Sequence, residues 1–134
     1  MTHLRVSEAA SLLAVSDDTV RRWIDAGRLD ASEDGSGVMV VDGAALAQVA
    51  QDIARPAPVG VVHSESARNR MRGIVTEVIR DTVMAQVSMQ AGPFRIVSLM
   101  SREAADDLGL EPGSVAVASI KSTNVVIGTA TERA

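Results

Sequence analysis

The sequence predicts an α+β chain of two domains, with a helical first half and a strand-rich second half. Apolar residues recur at helical spacing up to about residue 53, and apolar and polar residues alternate from about residue 70 to 129. A segment with two prolines, ARPAPVGVVHSE, separates the two patterns. The boundaries we predict are a domain at 1–54, a linker at 55–64 and a second domain at 65–130.

Composition excludes several classes of protein. The chain has 134 residues, no cysteine and a net charge of −4, which leaves no disulfide, no thiolate metal site and no cysteine nucleophile. No signal peptide opens the sequence, and no apolar run reaches the ~18 residues of a membrane helix. Without a catalytic set, we expect a cytoplasmic protein with no membrane partner, no enzymatic activity, no cofactor and no bound metal cation.

The first half has the pattern of a winged helix-turn-helix. Ser7 and Ser16 are the expected N-caps of two short helices, and Gly27 is placed to end the second one. A short strand over Val38–Val41 and a helix from about Asp42 complete the unit. The second helix carries an apolar stripe at i, i+3, i+4 spacing, formed by Val20, Trp23 and Ile24.

The second half has the pattern of a small β-barrel. Five runs rich in β-branched residues read as strands, namely GIVTEVI, VMAQVSM, FRIVSLM, SVAVASI and NVVIG. A short helix between the third and fourth runs starts at Ser101 and ends at Gly109. Five strands and one helix predict a closed, five-stranded barrel of OB type.

Residues 5–29, RVSEAASLLAVSDDTVRRWIDAGRL, resemble the DNA-binding domain of MerR-like and excisionase-like regulators. The run from Thr19 to Trp23 carries the resemblance. It implies double-stranded DNA as a partner, with contacts from five residues of the second helix and its cap: Ser16, Asp18, Thr19, Arg21 and Arg22.

A structural interpretation of the same arginines stays open. Arg21 and Arg22 are spaced to pair with Asp17 and Asp18 at i, i+4, which is worth only about 0.2–0.5 kcal/mol. The segment SEDGSGVMVV carries acids where this family usually has arginines. Residues 1–54 hold nine acidic residues and four arginines, and this balance weakens the attraction to phosphates that dominates DNA affinity.

Residues 64–129 resemble a Mop (TOBE) domain, the module of molbindins and of the ligand-binding half of the ModE regulator. The elements that carry the resemblance are SARN at 66–69, GIV at 73–75, LGL at 108–110 followed by Gly113, and IKST at 120–123 with Val125. It implies that molybdate or tungstate binds at subunit interfaces of a homo-oligomer, between a dimer and a hexamer.

The residue types agree with that ligand. A tetrahedral dianion that leaves water needs cations and several hydrogen-bond donors, which the guanidinium of Arg68, the ammonium of Lys121 and nearby hydroxyls supply. The family also takes ligands from the start of the short helix, where this chain has Ser101 and Ala104. The candidate oxyanion-binding residues are Ser66, Ala67, Arg68, Asn69, Ser101, Lys121, Ser122 and Thr123.

Two whole-protein functions follow from these resemblances. One is a molybdate- or tungstate-responsive transcriptional regulator that binds DNA through its first domain. The alternative is an oxyanion store or buffer whose acidic first domain makes protein contacts instead. A purely structural interpretation of SARN, as the start of a strand with a solvated Arg68, also stays open.

Overall fold

The computed structural model describes residues 2–60 and 65–130. The chain divides into two compact units, Met1–Arg55 and Pro56–Ala134. Residues 61–64 of the predicted linker lie outside the described residues. No helix in the described part of the chain is long and apolar enough to cross a membrane.

The first unit contains three helices and a three-stranded antiparallel sheet. Its elements follow the order β1 (His3–Arg5), α1 (Val6–Leu13), α2 (Asp17–Asp25), β2 (Ala31–Glu33), β3 (Met39–Asp42) and α3 (Gly43–Ile53). The strand order is β1-β3-β2. The β2–β3 hairpin lies where the sequence predicted a wing, whereas β1 was not predicted.

Local hydrogen bonds decide where these helices begin. Ser16 caps α2 as predicted, because its hydroxyl accepts a hydrogen bond from the Thr19 N–H at 3.1 Å. The prediction that Ser7 caps α1 is wrong, since the helix already begins at Val6. The Glu8 carboxylate accepts the Arg5 N–H at 3.2 Å and so caps the helix start two residues earlier, at Arg5.

The core of the first unit leaves one face of α2 in solvent. The buried residues of this core come from all three helices, from β3 and from the segment between α2 and β2, namely Val6, Ala9, Ala10, Val20, Leu29, Val41, Leu46 and Val49. Val20 is fully buried, and Trp23 and Ile24 pack against the cluster as the apolar stripe predicted. Arg21 and Arg22 therefore lie on the exposed face.

The second unit is built on a four-stranded antiparallel sheet. Its elements are β4 (Asn69–Arg80), β5 (Met84–Ala91), β6 (Phe94–Ser101), α4 (Arg102–Asp107), β7 (Val115–Ile120) and one 3-10 turn (Ser122–Asn124). The strand order is β6-β5-β4-β7. Val75, Val87 and Leu110 form its buried core, flanked by partly buried Val78, Met100 and Ala116.

The prediction of a closed five-stranded barrel needs correction. Within residues 65–130 the sheet has four strands, and the predicted fifth strand, NVVIG at 124–128, is not one of them. The 3-10 turn at Ser122–Asn124 diverts the chain from the sheet, so β6 and β7 remain edge strands. The apolar sequence has strand character, but a strand also needs a neighbour to pair with.

We expect Gly73→Ala to destabilise the second unit by about 1–3 kcal/mol, as overpacking does elsewhere. A Cβ at Gly73 would clash with the backbone carbonyl of Gln90, and this backbone atom on the paired strand cannot move aside without disturbing the sheet. Thermal unfolding followed by far-UV circular dichroism measures the loss.

The first unit provides the internal control for this variant. Its Trp23 is the sole tryptophan of the chain, so fluorescence reports on that unit alone and should show an unchanged transition. A Gly73→Ala protein with the wild-type sheet transition would contradict the steric argument.

Candidate functional site

The pairing of β4 with β7 brings SARN and KST to the same end of the sheet. Asn69 pairs with Ile120 at the last position of the antiparallel ladder. Arg68 directly precedes Asn69 and Lys121 directly follows Ile120, so both residues lie just beyond this last pair. Ser66 and Ala67 precede that point and Ser122 and Thr123 follow it, so seven of the predicted residues converge there.

Asn69 and Ala67 anchor this end of the sheet, Asn69 partly buried and Ala67 buried. The Asn69 side-chain amide donates to the Ile120 carbonyl at 3.2 Å across a separation of 51 residues. Ala67 is 7% exposed. The two residues therefore hold the backbone in place, whereas the neighbouring Ser66 and Arg68 are exposed.

Among the cations of residues 65–130, Arg68 and Lys121 differ from the others in that no protein partner engages their side chains. Arg70 pairs with Glu65 at 2.7 Å, Arg80 pairs with Asp106 at 3.0 Å, and Arg72 donates to the Pro58 carbonyl at 3.5 Å. Within residues 2–60 and 65–130, no hydrogen bond or ion pair engages the side chain of Arg68 or Lys121. Both are exposed and free to meet an anion.

Ser101 lies at the opposite end of the same sheet. It pairs with Met84 on β5, which lies beside the C-terminal end of β4, whereas SARN leads into the N-terminal end. β4 has 12 residues and so spans roughly 35–40 Å along its length. The structure thus separates Ser101 from the other predicted site residues of its own chain.

The immediate surroundings of Ser101 are polar and mostly acidic. Its hydroxyl accepts the Ala104 N–H at 3.1 Å and so caps α4, as predicted. The cleft beside it is lined by Arg102 and three acids, Glu103, Asp106 and Asp107. A dianion would meet net negative charge there, so Ser101 makes no anion site by itself.

In the first unit, α2 presents its polar residues as a connected group. The Ser16 and Thr19 hydroxyls share a hydrogen bond of 3.0 Å, and Arg22 donates to the Thr19 hydroxyl at 3.0 Å. Within the described residues neither Arg21 nor Arg22 forms an ion pair with an acid, so the alternative of i, i+4 pairing is not realised. Asp18 is exposed on the same helix.

Arg5 is a basic residue of this surface that the sequence did not single out. It lines one shallow groove with Ser7, Asp17, Arg21 and Met39, between the start of α1, the start of α2 and β3. Its position directly before the first helix was visible in the sequence, but the proximity to Arg21 depends on the pairing of β1 with β3.

One carboxylate of the β2–β3 hairpin, that of Asp34, stabilises the turn. Asp34 accepts hydrogen bonds from the Ser36 hydroxyl at 2.7 Å, the Ser36 N–H at 2.9 Å and the Val38 N–H at 3.0 Å. These bonds, led by the Ser36 hydroxyl, lower the pKa of Asp34 below its ordinary value of 3.8. Asp34 therefore builds the turn, and its charge faces donors of the hairpin.

Comparison with known proteins identifies both units. Residues 65–127 match the family model described as TOBE domain, and residues 4–52 match that described as Helix-turn-helix domain. "Molybdenum-pterin-binding protein 3" of Clostridium pasteurianum is 40% identical over 65 residues, which cover 48% of this chain and 96% of that protein. The chain belongs to the TOBE-domain family. Both resemblances predicted from the sequence are thereby confirmed.

Other relatives match the TOBE domain as well. "Molybdenum-pterin-binding protein MopB" of Rhodobacter capsulatus is 35% identical over 83 residues, which cover 61% of this chain and 31% of that protein. The solved molybdate binding protein from Sporomusa ovata is 28% identical, with a TM-score of 0.48, and the match covers 50% of this chain and all of that one.

Proposed function

We propose that this protein is a transcriptional regulator that binds molybdate or tungstate through its TOBE domain and double-stranded DNA through its helix-turn-helix domain. We place this function in the cytoplasm. The observation that carries the proposal is the convergence of Arg68 and Lys121, two exposed cations without a partner in the described residues, beside three hydroxyls.

The chemistry of this cluster suits a tetrahedral dianion. Each cation 4 Å from a unit charge contributes about 4 kcal/mol at an effective dielectric constant of 20. Arg68 and Lys121 together balance the charge of one molybdate, and the hydroxyls of Ser66, Ser122 and Thr123 are available to its oxygens. The names of the relatives, which mention molybdenum, support the choice of ligand.

A second copy of the chain would complete the site. The cluster is open to solvent in one copy, where water and salt would compete for the anion. Ser101 and the start of α4 lie at the far end of the sheet and can reach an oxyanion only on another copy. We therefore propose that the sites form at interfaces of a homo-oligomer.

Two apolar surfaces support this assembly. Val126 is 92% exposed and Ile127 is 86% exposed in the segment that the sequence predicted as a fifth strand. A groove of about 460 Å³ opens between edge strands β6 and β7, lined by Val97, Leu108 and Val115 among others. Burial of both surfaces would be favourable, and an edge strand offers unpaired backbone groups to an added strand. We propose that residues 124–128 of one copy pair with an edge strand of another.

The exposed face of α2 supports the DNA-binding part of the proposal. Helix-turn-helix proteins place the start of this second helix in the major groove. Ser16, Asp18, Thr19, Arg21 and Arg22 all lie at or near that start, with both arginines exposed. The acids of the hairpin disfavour DNA binding by their charge, and one of them, Asp34, has a structural role in the hairpin turn.

Regulation requires that the ligand changes the arrangement of subunits on which DNA binding depends. An oxyanion held at an interface binds the assembled state more tightly than the separate chains, and this difference is the coupling free energy. The alternative function, an oxyanion store, is favoured by the excess of acids in residues 1–54. The two differ in whether DNA binding responds to molybdate.

We predict that Arg68→Ala and Lys121→Ala each weaken molybdate binding roughly 10- to 150-fold, the cost of losing a hydrogen bond to a charged group. Calorimetric titration with molybdate, tungstate and sulfate measures the effect. Arg72→Ala is the matched control, since its guanidinium is engaged by the Pro58 carbonyl. Equal heats in wild type and both variants would reject the site.

For the DNA interface, Arg21→Ala and Arg22→Ala should each reduce the slope of log affinity against log salt concentration by about 1, because one phosphate contact is lost. Fluorescence anisotropy with duplex DNA at several salt concentrations, with and without molybdate, measures it. Arg55→Ala is the control, since Arg55 caps carbonyls at the end of α3. A wild-type protein without DNA affinity at low salt would favour the store.

The assembly is tested by Val126→Asp combined with Ile127→Asp. Two carboxylates in this segment cannot be buried without a large desolvation cost, so we expect a lower molar mass by light scattering and weaker molybdate binding. Leu12→Asp, which changes a leucine that is 68% exposed in the other unit, should leave the mass unchanged. An unchanged mass in the double variant would rule out this interface.

A further inference from the structure

An ion pair joins Glu65 and Arg70, the residues directly before and directly after the SARN segment. The Arg70 guanidinium Nε donates to Glu65 Oε1 at 2.7 Å. The four residues between the two partners, Ser66–Asn69, are among the eight that the family resemblance assigns to oxyanion binding. The side chains are 27% and 38% exposed for Arg70 and Glu65, respectively, so the pair is partly protected from water.

The Glu65–Arg70 ion pair lies beside the neighbouring strand, β7. Arg70 and Ser119 are Cα partners in the β4–β7 ladder, one step inside the Asn69–Ile120 pair. The hydrogen bond from Arg70 lowers the pKa of Glu65, and the Ser119 hydroxyl adds to this effect. Glu65 is therefore ionised at neutral pH, and its carboxylate is held over the point where β4 meets β7.

We propose that Glu65 is a positioning residue of the oxyanion site. Its ion pair with Arg70 holds the Ser66–Arg68 segment against the β4–β7 pair, so that Arg68 is presented beside Lys121 before the ligand arrives. This inference rests on the proposed function. A segment already ordered in the free protein loses less conformational entropy when the anion binds.

Electrostatics alone predicts the opposite effect of Glu65. A carboxylate near a dianion repels it, so removal of the charge by Glu65→Gln would strengthen binding if Glu65 did nothing else. A weaker binding in this variant is therefore diagnostic of positioning. The two effects also differ in salt dependence, because salt screens the repulsion between exposed charges.

The experiment is a calorimetric titration of the full chain with sodium molybdate at low and high salt. For Glu65→Gln we expect affinity to fall roughly two- to fivefold, the range for a partly exposed ion pair, and to fall more clearly at high salt. The charge-swapped variant, Glu65→Arg with Arg70→Glu, restores the pair in reverse and should recover affinity to within about twofold. Glu111→Gln removes the same charge from a loop before β7 and should change nothing.

Hydrogen exchange of the ligand-free protein separates this inference from the proposed function. Backbone N–H groups of residues 66–70 should exchange faster in Glu65→Gln and return to wild-type rates in the charge-swapped variant. If wild type binds no molybdate, the proposed function fails and the exchange rates still test the ion pair. Unchanged exchange, equal or tighter molybdate binding by Glu65→Gln, or weakening without rescue would overturn the inference.

Discussion

The candidate site depends on the antiparallel pairing of β4 with β7. β4 starts at Asn69, and β7 ends at Ile120, 51 residues later. The Asn69 side-chain amide donates to the Ile120 carbonyl and so joins the two strands. Without that register Arg68 and Lys121 would be two unrelated surface cations. The close approach of β5 on the other side of β4, where only a hydrogen fits at Gly73, holds β4 in place from its second edge.

Charge in the TOBE domain is arranged so that most cations are engaged in the fold. Arg70, Arg72 and Arg80 each contact a carboxylate or a carbonyl, and their positive charge stabilises local structure. Arg68 and Lys121 lack such partners within the described residues. A site for a dianion needs this contrast, because a cation already paired with a carboxylate must break that pair before it meets a new anion.

In the helix-turn-helix domain, hydrogen bonds within the fold engage acidic side chains. It is rich in acids, yet its Asp34 faces three donors of its own hairpin and its Asp42 caps α3 by accepting the Ala45 N–H at 3.0 Å. Acids placed at turns and caps stabilise the fold through hydrogen bonds to backbone N–H groups. Within the described residues no acid pairs with the exposed arginines of α2, and Arg22 donates to the Thr19 hydroxyl.

The sequence by itself determined the local elements and both family resemblances. Apolar spacing located α2 and its buried Val20, caps such as Ser16 and Ser101 were visible as residue types, and the motifs at SARN and KST pointed to an anion. Tertiary structure decided the rest. NVVIG has the composition of a strand but, within the described residues, no neighbour to pair with. Ser101 is separated from SARN by the length of β4. Glu65 reaches Arg70 only because the chain bends between them. These outcomes depend on register and on which edges meet, and residue composition carries no information about either.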